Sequence, residues 1–252
     1  IEIKPEWKTL FSYASCLYKR ENFHAAREKL HQAKLITTSR DSKNLINAAL
    51  KAIDFPKNEL INKLQLKNIK GLKTLDNQVI ERLIIHRPVE SSLISYLYSL
   101  KNAKLNNMKD ARYGNGVCLN NFELFDDSSP IISNLSSELE NLCKEELGLK
   151  EIVFSGSFFN IFVSGSGAKP HSHIKSIDKD FNLSSMKYSL VYYLDIGDQK
   201  GEDPGILKLY DPDENILPTN GMIVIINGKK VHSVSYSGKK DRVMIGLNFY
   251  GF

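Results

Sequence analysis

The sequence predicts an α+β protein, with α-helices in residues 1–105 and an antiparallel β-sandwich or barrel in residues 106–252. In the first part, apolar residues recur at steps of three and four, the period of an amphipathic helix. In the second part, short runs rich in β-branched and aromatic residues alternate with turns containing Gly, Pro, Asn and Asp. Because helices precede the strands instead of alternating with them, an antiparallel architecture is favoured over an alternating α/β fold.

The composition narrows the class of protein. The 252 residues are 42% hydrophobic and 25% charged, which is typical of a soluble globular protein. The net charge of +5 comes from scattered lysines without a basic block, which argues against nucleic acid as a partner. The three cysteines are far apart and outside any CxxC pair, so we expect a reducing, cytoplasmic environment. No apolar run reaches the roughly 18 residues of a membrane span. Because the sequence begins with Ile1 and not with Met, the chain could be a fragment of a longer protein.

The N-terminal end of the chain predicts a pair of helices separated at Glu21-Asn22. The small residues Ala14, Ala26 and Ala33 have the spacing of a tetratricopeptide repeat of about 34 residues, in which small side chains let two helices approach closely. The wider apolar stripes consist of Trp7, Leu10, Phe11, Leu17 and Tyr18 on the first helix and Phe23 and Leu30 on the second. We therefore expect a helical scaffold of tetratricopeptide-like character that could bind a protein partner.

Further helices are predicted over residues 42–53, 58–66, 77–85 and 91–100. The polar stretch 101–110 follows them and is the expected boundary between a helical module, 1–105, and a β-rich domain, 106–252.

Beyond this boundary the pattern changes to strands and turns. Residues 112–125 contain a Gly-Asn-Gly turn signal, and residues 133–147 form an amphipathic helix with Gly148 as its stop. Strands are predicted over residues 151–154, 157–164, 188–195, 205–210, 222–226, 231–235 and 242–250.

Three histidines in the strand-rich part predict a metal site. His171 and His173 would project from the same face of a strand, because side chains at i and i+2 share a face. An antiparallel barrel could bring His232 beside them. Imidazole binds first-row metals, and three protein ligands leave coordination positions open. Arg242, ten residues after His232, lies on the next predicted strand, where a buried guanidinium would pair with an anion and suits a carboxylate.

At this point the second half, roughly residues 113–252, resembles the Fe(II)/2-oxoglutarate-dependent dioxygenases, particularly the prolyl-hydroxylase-like branch. The resemblance rests on six elements in the family's order. They are His171-Ser172-His173, Val191-Tyr192-Tyr193-Leu194-Asp195, Gly205-Ile206-Leu207-Lys208-Leu209-Tyr210, Pro218-Thr219-Asn220-Gly221, His232 and Arg242.

The resemblance implies a double-stranded β-helix, the jelly-roll or cupin-like barrel, with Fe(II) and 2-oxoglutarate as cofactors. It also implies O₂ as a reactant and a substrate that is either a peptide or protein side chain or a small metabolite. Hydroxylation would accompany oxidative decarboxylation of 2-oxoglutarate to succinate and CO₂. No catalytic side chain is expected beyond the metal centre.

The same resemblance assigns roles to residues of the cosubstrate pocket. Arg242 would pair with the C5 carboxylate of 2-oxoglutarate, and Tyr193 would hydrogen-bond that carboxylate. Leu207 and Val191 would form part of the apolar wall. Phe162 lies near a place where family members often carry a tyrosine, so a hydroxyl contact is lost or supplied elsewhere.

His171 and His232 correspond to two iron ligands, but His173 stands where the family has a carboxylate. His173 could ligate and give a three-histidine centre. Alternatively, the centre could have two histidines, with water, chloride, Asp178 or Asp180 in the vacant position, or the site could be degenerate. Two rival functions stay open: a three-histidine cupin-type metalloenzyme that does not use 2-oxoglutarate, and a non-catalytic helical binding protein on a relic barrel.

Overall fold

Two antiparallel β-sheets form the centre of the protein in a computed structural model that describes residues 6–55, 82–104, 117–118 and 123–252. The described strands are β1 (Arg82–His86), β2 (Val117–Cys118), β3 (Ile152–Phe162), β4 (Ser166–His171), β5 (Lys187–Asp195), β6 (Pro204–Leu209), β7 (Glu214–Ile216), β8 (Met222–Asn227), β9 (His232–Tyr236) and β10 (Arg242–Gly251). One sheet has the strand order β1-β8-β5-β10-β3-β2, and the other has the order β4-β9-β6-β7.

Five α-helices accompany the sheets in the described residues. They are α1 (Trp7–Lys19), α2 (Phe23–Ile36), α3 (Arg40–Asp54), α4 (Ser91–Lys104) and α5 (Pro130–Leu147). Gly148 ends α5 as predicted, in the left-handed conformation with φ of 62°, whereas the helix begins three residues before the predicted start, with Pro130 in its first turn.

The space between the sheets is filled by apolar side chains from both of them. Phe162, Tyr193 and Met244 come from the larger sheet, and Leu207 and Tyr236 come from the smaller one. The sheets therefore pack face to face, and every strand pair in them is antiparallel. This confirms the α+β class and the antiparallel sandwich or barrel predicted from the sequence.

Helices α4 and α5 cover the outer face of the larger sheet. Leu97 on α4 packs in one cluster with Tyr192 and Ile245 of the sheet. Their sequence neighbours Tyr193 and Met244 lie in the cluster between the sheets, because successive strand residues point to opposite faces. Strands β5 and β10 are thus buried on both faces, which explains why they read as continuous apolar runs.

The first three helices pack on the barrel next to the segment Ser176–Ser185. The ring of Phe181 in this segment lies 5.2 Å from the ring of Phe11 and 5.1 Å from that of Tyr18, measured between centroids. Ser15 on α1 donates a hydrogen bond of 2.8 Å to Asp180. The apolar face of the helical module is therefore occupied by the barrel, while its tetratricopeptide-like character stays a prediction.

Most predicted strands are confirmed within one or two residues, but the strand pattern was wrong in several places, and the two-residue strand β2 was not predicted. Residues 82–85, expected to be the end of a helix, belong to β1, which pairs with β8. The periodicity of a short apolar run such as Leu83-Ile84-Ile85 fits either a helix or a strand. Pairing with the edge of β8 makes it a strand. The two strands predicted over 151–164 are one continuous strand, β3. Strands β4 and β7 were missed.

The boundary at residue 105 stays a prediction. Residues 101–104 of the expected linker belong to α4, and β1, which precedes the boundary, is part of the larger sheet. The predicted helix over 58–66 and the Gly-Asn-Gly turn lie outside the described residues. Of the described helices, none combines the length and apolar character that crossing a membrane requires.

We expect Phe11→Ala to lower the free energy of unfolding by about 3 to 5 kcal/mol, because it empties a fully buried ring site between α1 and the barrel. Urea denaturation followed by circular dichroism measures the change. Tyr13→Ala on the same helix is the matched control, since Tyr13 is 52% exposed and should change stability by less than about 0.5 kcal/mol. Equal, small effects of the two substitutions would contradict the packing of α1 on the barrel.

Candidate metal centre

Three histidines come together where β4 meets β9. His171 is the last residue of β4 and pairs directly with His232, the first residue of β9. His173 follows two residues after the end of β4, and its Nε2 lies 3.3 Å from Nε2 of His232. One candidate ligand nitrogen from each histidine lies within 4.8 Å of the others. The predicted metal-binding residues are therefore brought to one point.

The position of His173 is not set by strand alternation, as the sequence suggested, because β4 ends at His171. A backbone hydrogen bond of 3.0 Å from the His173 N–H to the carbonyl of Gly228 holds it instead. Gly228 follows β8 and lies in the turn that leads to β9. The turn therefore contributes to the centre together with β4 and β9.

Hydrogen bonds from the outer ring nitrogens orient two of the imidazoles. Nδ1 of His171 lies 2.7 Å from the carbonyl oxygen of Lys169, and Nδ1 of His232 lies 3.0 Å from that of Lys230. Because a carbonyl can only accept, each Nδ1 carries a proton, so in the neutral ring the lone pair lies on Nε2. Such outer contacts fix the tautomer and the ring orientation of metal-binding histidines.

The surroundings of His173 and His232 favour the neutral form of both rings. Burial, together with the neighbouring His232 and His171, lowers the pKa of His173 to about 2. Burial also lowers the pKa of His232 to about 4, against the opposing effect of its hydrogen bond to Lys230. A neutral imidazole offers the lone pair that a metal ion requires.

Neither aspartate considered as a replacement ligand takes part in the cluster. Asp178 is fully buried and accepts hydrogen bonds from Lys187 and Tyr250. Asp180 accepts from Ser15 on α1. Within the described residues, the group able to hold a metal ion is thus composed of three nitrogen donors and no carboxylate.

A cavity of about 60 Å³ extends from the histidines into the space between the sheets. Since one water occupies roughly 10 to 15 Å³ by this measure, the cavity has room for a small ligand. All seven site residues proposed from the sequence line it: His171, His173, Val191, Tyr193, Leu207, His232 and Arg242.

Arg242 is a buried cation with unused hydrogen-bonding capacity. Its side chain is 0% exposed, and its Nη1 donates to the carbonyl of Gly205. Its Nε and Nη2 have no hydrogen-bond partner among the described residues. Burial lowers the pKa of Arg242, whereas the side chain of Tyr193, whose ring lies 4.8 Å from Cζ, favours the charged form. A buried guanidinium with unpaired N–H groups is suited to a carboxylate.

Gly205 makes the approach of Arg242 to β6 possible. Its φ of 81° lies in the left-handed region, and a Cβ at this position would collide with Nη1 of Arg242. Any residue larger than glycine at this position of the Gly-Ile-Leu motif would therefore clash with Arg242.

Asn160 is a residue of the cavity that the sequence analysis missed. It lies on β3 two residues before Phe162, on the same strand face, and both line the cavity. Its side chain is 5% exposed, and its Oδ1 has no partner in the described part of the chain. The only sequence signal was a single polar residue within Phe158-Phe159-Asn160-Ile161-Phe162. Asn160 supplies a polar group next to the place where Phe162 offers none.

Solved structures similar to this chain identify the fold. A prolyl hydroxylase from Trichoplax adhaerens, in complex with a hypoxia inducible factor peptide fragment, aligns with a TM-score of 0.52 and 15% identity, covering 78% of this chain and 94% of that one. A viral collagen prolyl hydroxylase from Paramecium Bursaria Chlorella virus-1, in complex with 2-oxoglutarate, aligns with a TM-score of 0.51 and 9% identity, covering 68% and 96%. No family model and no curated protein matches the sequence. The likeness confirms the predicted double-stranded β-helix.

We expect His171→Ala and His232→Ala each to weaken Co(II) binding by at least about 100-fold, because outer contacts alone are worth 10- to 100-fold at metal sites. Competition with a chromophoric chelator measures the affinity. His86→Ala is the control, since His86 is exposed at the end of β1. Affinities that are the same in all three variants would mean that these histidines do not bind the metal.

Proposed function

We propose that this protein is an Fe(II)- and 2-oxoglutarate-dependent dioxygenase that hydroxylates a peptide or protein side chain or a small metabolite. One observation carries the proposal: a single cavity is lined by three clustered histidines and by a buried, incompletely paired arginine. A metal site explains the first group, and a carboxylate ligand explains the second. A chelating dicarboxylate such as 2-oxoglutarate would engage both.

The smaller sheet separates these two polar groups along the cavity. On β6, Leu209 pairs with His232, whereas the carbonyl of Gly205 accepts the hydrogen bond from Arg242. Three residues of an extended strand lie between these contacts, with Leu207 in the middle as part of the apolar wall. This order fits a ligand whose two ends have different partners and whose middle is apolar.

Each residue would then have a defined task. His171, His173 and His232 would hold Fe(II), and Arg242 with Tyr193 would bind the distal carboxylate of the cosubstrate. Bound iron and 2-oxoglutarate would supply the oxidising chemistry, with O₂ as oxidant and succinate and CO₂ as products. The apolar side chains around them, Val191 and Leu207 among them, would exclude water from the reacting atoms.

A centre of three neutral ligands has an electrostatic consequence. With a histidine in place of the family's carboxylate, the protein contributes no negative charge, so the site keeps the full charge of the cation. This should strengthen the attraction for an anionic cosubstrate and raise the reduction potential of the iron.

Two observations bear on the class of substrate. The Trichoplax enzyme of the same fold is seen with a peptide, which supports a peptide or protein substrate. A protein partner at the helical module would have to use its outward side, because the apolar face of α1 and α3 packs on the barrel. That outward side carries three exposed apolar residues, Tyr13, Leu35 and Ile36. A small metabolite remains the alternative.

Two rival functions make different demands on the site. A cupin-type metalloenzyme that ignores 2-oxoglutarate would use the three histidines but would give no role to Arg242. A non-catalytic protein on a relic barrel would need neither group. The buried, incompletely paired Arg242 favours the dioxygenase over both.

Anaerobic titration of the Fe(II) protein with 2-oxoglutarate tests the proposal. We expect the weak visible charge-transfer band of an iron-bound 2-oxo acid to grow with added 2-oxoglutarate until the site is saturated. Iron binding without any band would favour the metalloenzyme that ignores 2-oxoglutarate, and failure to bind iron would favour the relic barrel.

We expect Arg242→Met to weaken 2-oxoglutarate binding in this titration by about 10- to 100-fold, in line with the loss of charge-assisted hydrogen bonds worth about 1.5 to 3 kcal/mol. The same substitution should leave the unliganded protein as stable as before or more so, since it removes a buried charge that lacks a full set of partners. Thermal unfolding without ligand measures this second effect.

Arg87→Met is the matched control for Arg242→Met. Arg87 is bound to Glu90, Glu138 and Tyr192, so its loss should lower stability by about 1 to 3 kcal/mol and leave 2-oxoglutarate binding unchanged. A large loss of stability in Arg242→Met with unchanged 2-oxoglutarate binding would assign Arg242 a structural role instead.

A further inference from the structure

A buried ion pair lies beside the candidate metal centre and has no task in the proposed reaction. Nζ of Lys187 on β5 lies 2.8 Å from Oδ2 of Asp178, and the two residues are only 3% and 0% exposed. The hydroxyl of Tyr250 donates to the other oxygen of Asp178. Because taking two charges out of water costs more than an apolar pair would, a buried ion pair is weak evidence for a purely stabilising role.

Two short paths of hydrogen bonds connect this pair to the backbone around His173. In the first path, the N–H of Gly228 donates to the carbonyl of Lys187 at 2.7 Å, and the N–H of His173 donates to the carbonyl of Gly228 at 3.0 Å. In the second path, Oδ2 of Asp178 accepts from the N–H of Lys175 at 2.6 Å. The backbone of Lys187 and the side chain of Asp178 therefore contact the chain around His173, one through Gly228 and the other two residues after the histidine.

His173 needs such support more than the other two histidines do. His171 and His232 lie on paired strands, β4 and β9, whose ladder holds their backbone. His173 lies after the end of β4. The packing around its backbone partner is also tight, since a Cβ added to Gly228 would lie 3.1 Å from Cβ and Cγ of Lys187.

We propose that the Lys187–Asp178 pair positions His173 as the third nitrogen ligand of the metal centre. This rests on the proposed metal site. The pair acts through the backbone: Lys187 sets the turn that receives the His173 N–H, and Asp178 fixes Lys175. The same contacts explain why the third ligand would be His173 and not Asp178. The carboxylate of Asp178 is occupied by hydrogen bonds from Lys187, Tyr250 and Lys175, so it is not available to a metal ion.

The test compares Co(II) binding in the wild type and in the double variant Lys187→Met/Asp178→Asn, which removes both charges and keeps the shapes of the side chains. We expect a loss of affinity of about 10- to 100-fold, the range for residues that orient metal ligands. The Co(II) visible spectrum should change in the same way as in His173→Ala. A matched control is Arg82→Met/Glu214→Gln, which removes a partly exposed ion pair between β1 and β7 and should leave Co(II) binding unchanged.

A mutant cycle separates positioning from general destabilisation. If the pair acts through His173, adding His173→Ala to the double variant should cause little further loss of Co(II) affinity. Fully additive losses, or a double variant with wild-type affinity and spectrum, would overturn the inference.

Gly228→Ala provides a second route should the double variant fail to fold, because it disturbs the same path without removing a charge. We expect it to change the Co(II) spectrum as His173→Ala does, and an unchanged spectrum would count against the positioning role. A wild-type protein that binds no Co(II) would overturn the metal site and this inference together. Wild-type binding that is sensitive to His173→Ala but not to Lys187, Asp178 or Gly228 would overturn this inference alone.

Discussion

The burial of the larger sheet on both faces is the constraint on which the rest of the structure depends. Along β5 and β10, every second side chain must fit the helices outside, and the remaining ones must fit the space between the sheets. A slip of one residue would exchange Tyr192 with Tyr193 and remove Arg242 from the interior. The register that packs the core is thus the register that lines the cavity, so folding and site formation depend on the same pairing.

Much of the site could be predicted because its residues have a chemical signature at a distinct spacing. His171, His232 and Arg242 are polar residues within or beside strand patterns, and the order of motifs around them restricts the fold. Asn160 and the Lys187–Asp178 pair could not be predicted, because their meaning depends on burial and on contacts between distant elements. The strand β1 was missed for a related reason: its short apolar run becomes a strand through its pairing with β8.

The candidate metal centre combines two kinds of support for its three histidines. His171 and His232 are oriented by carbonyls of nearby lysines on their own chain segments. The backbone of His173 is instead held by the turn at Gly228, and we propose that the Lys187–Asp178 pair supports that turn. The histidine that stands in place of the carboxylate expected from the sequence resemblance is therefore the one whose contacts come from other elements of the fold.

The contact between α1 and the segment Ser176–Ser185 gives the helical module a role in cooperativity. Phe181 and Asn182 in that segment adopt left-handed backbone conformations, with φ of 55° and 59°, which are unfavourable for residues with a side chain. Docking of Phe181 against Phe11 and Tyr18 compensates for this cost. Without the helices, no contact with Phe11 and Tyr18 would compensate for the cost of this conformation. Asp178 lies in the same segment, so its position depends on the same contacts. The helices and the barrel should thus unfold together as one thermodynamic unit, although the sequence shows a helical pattern in the first part and a strand pattern in the second.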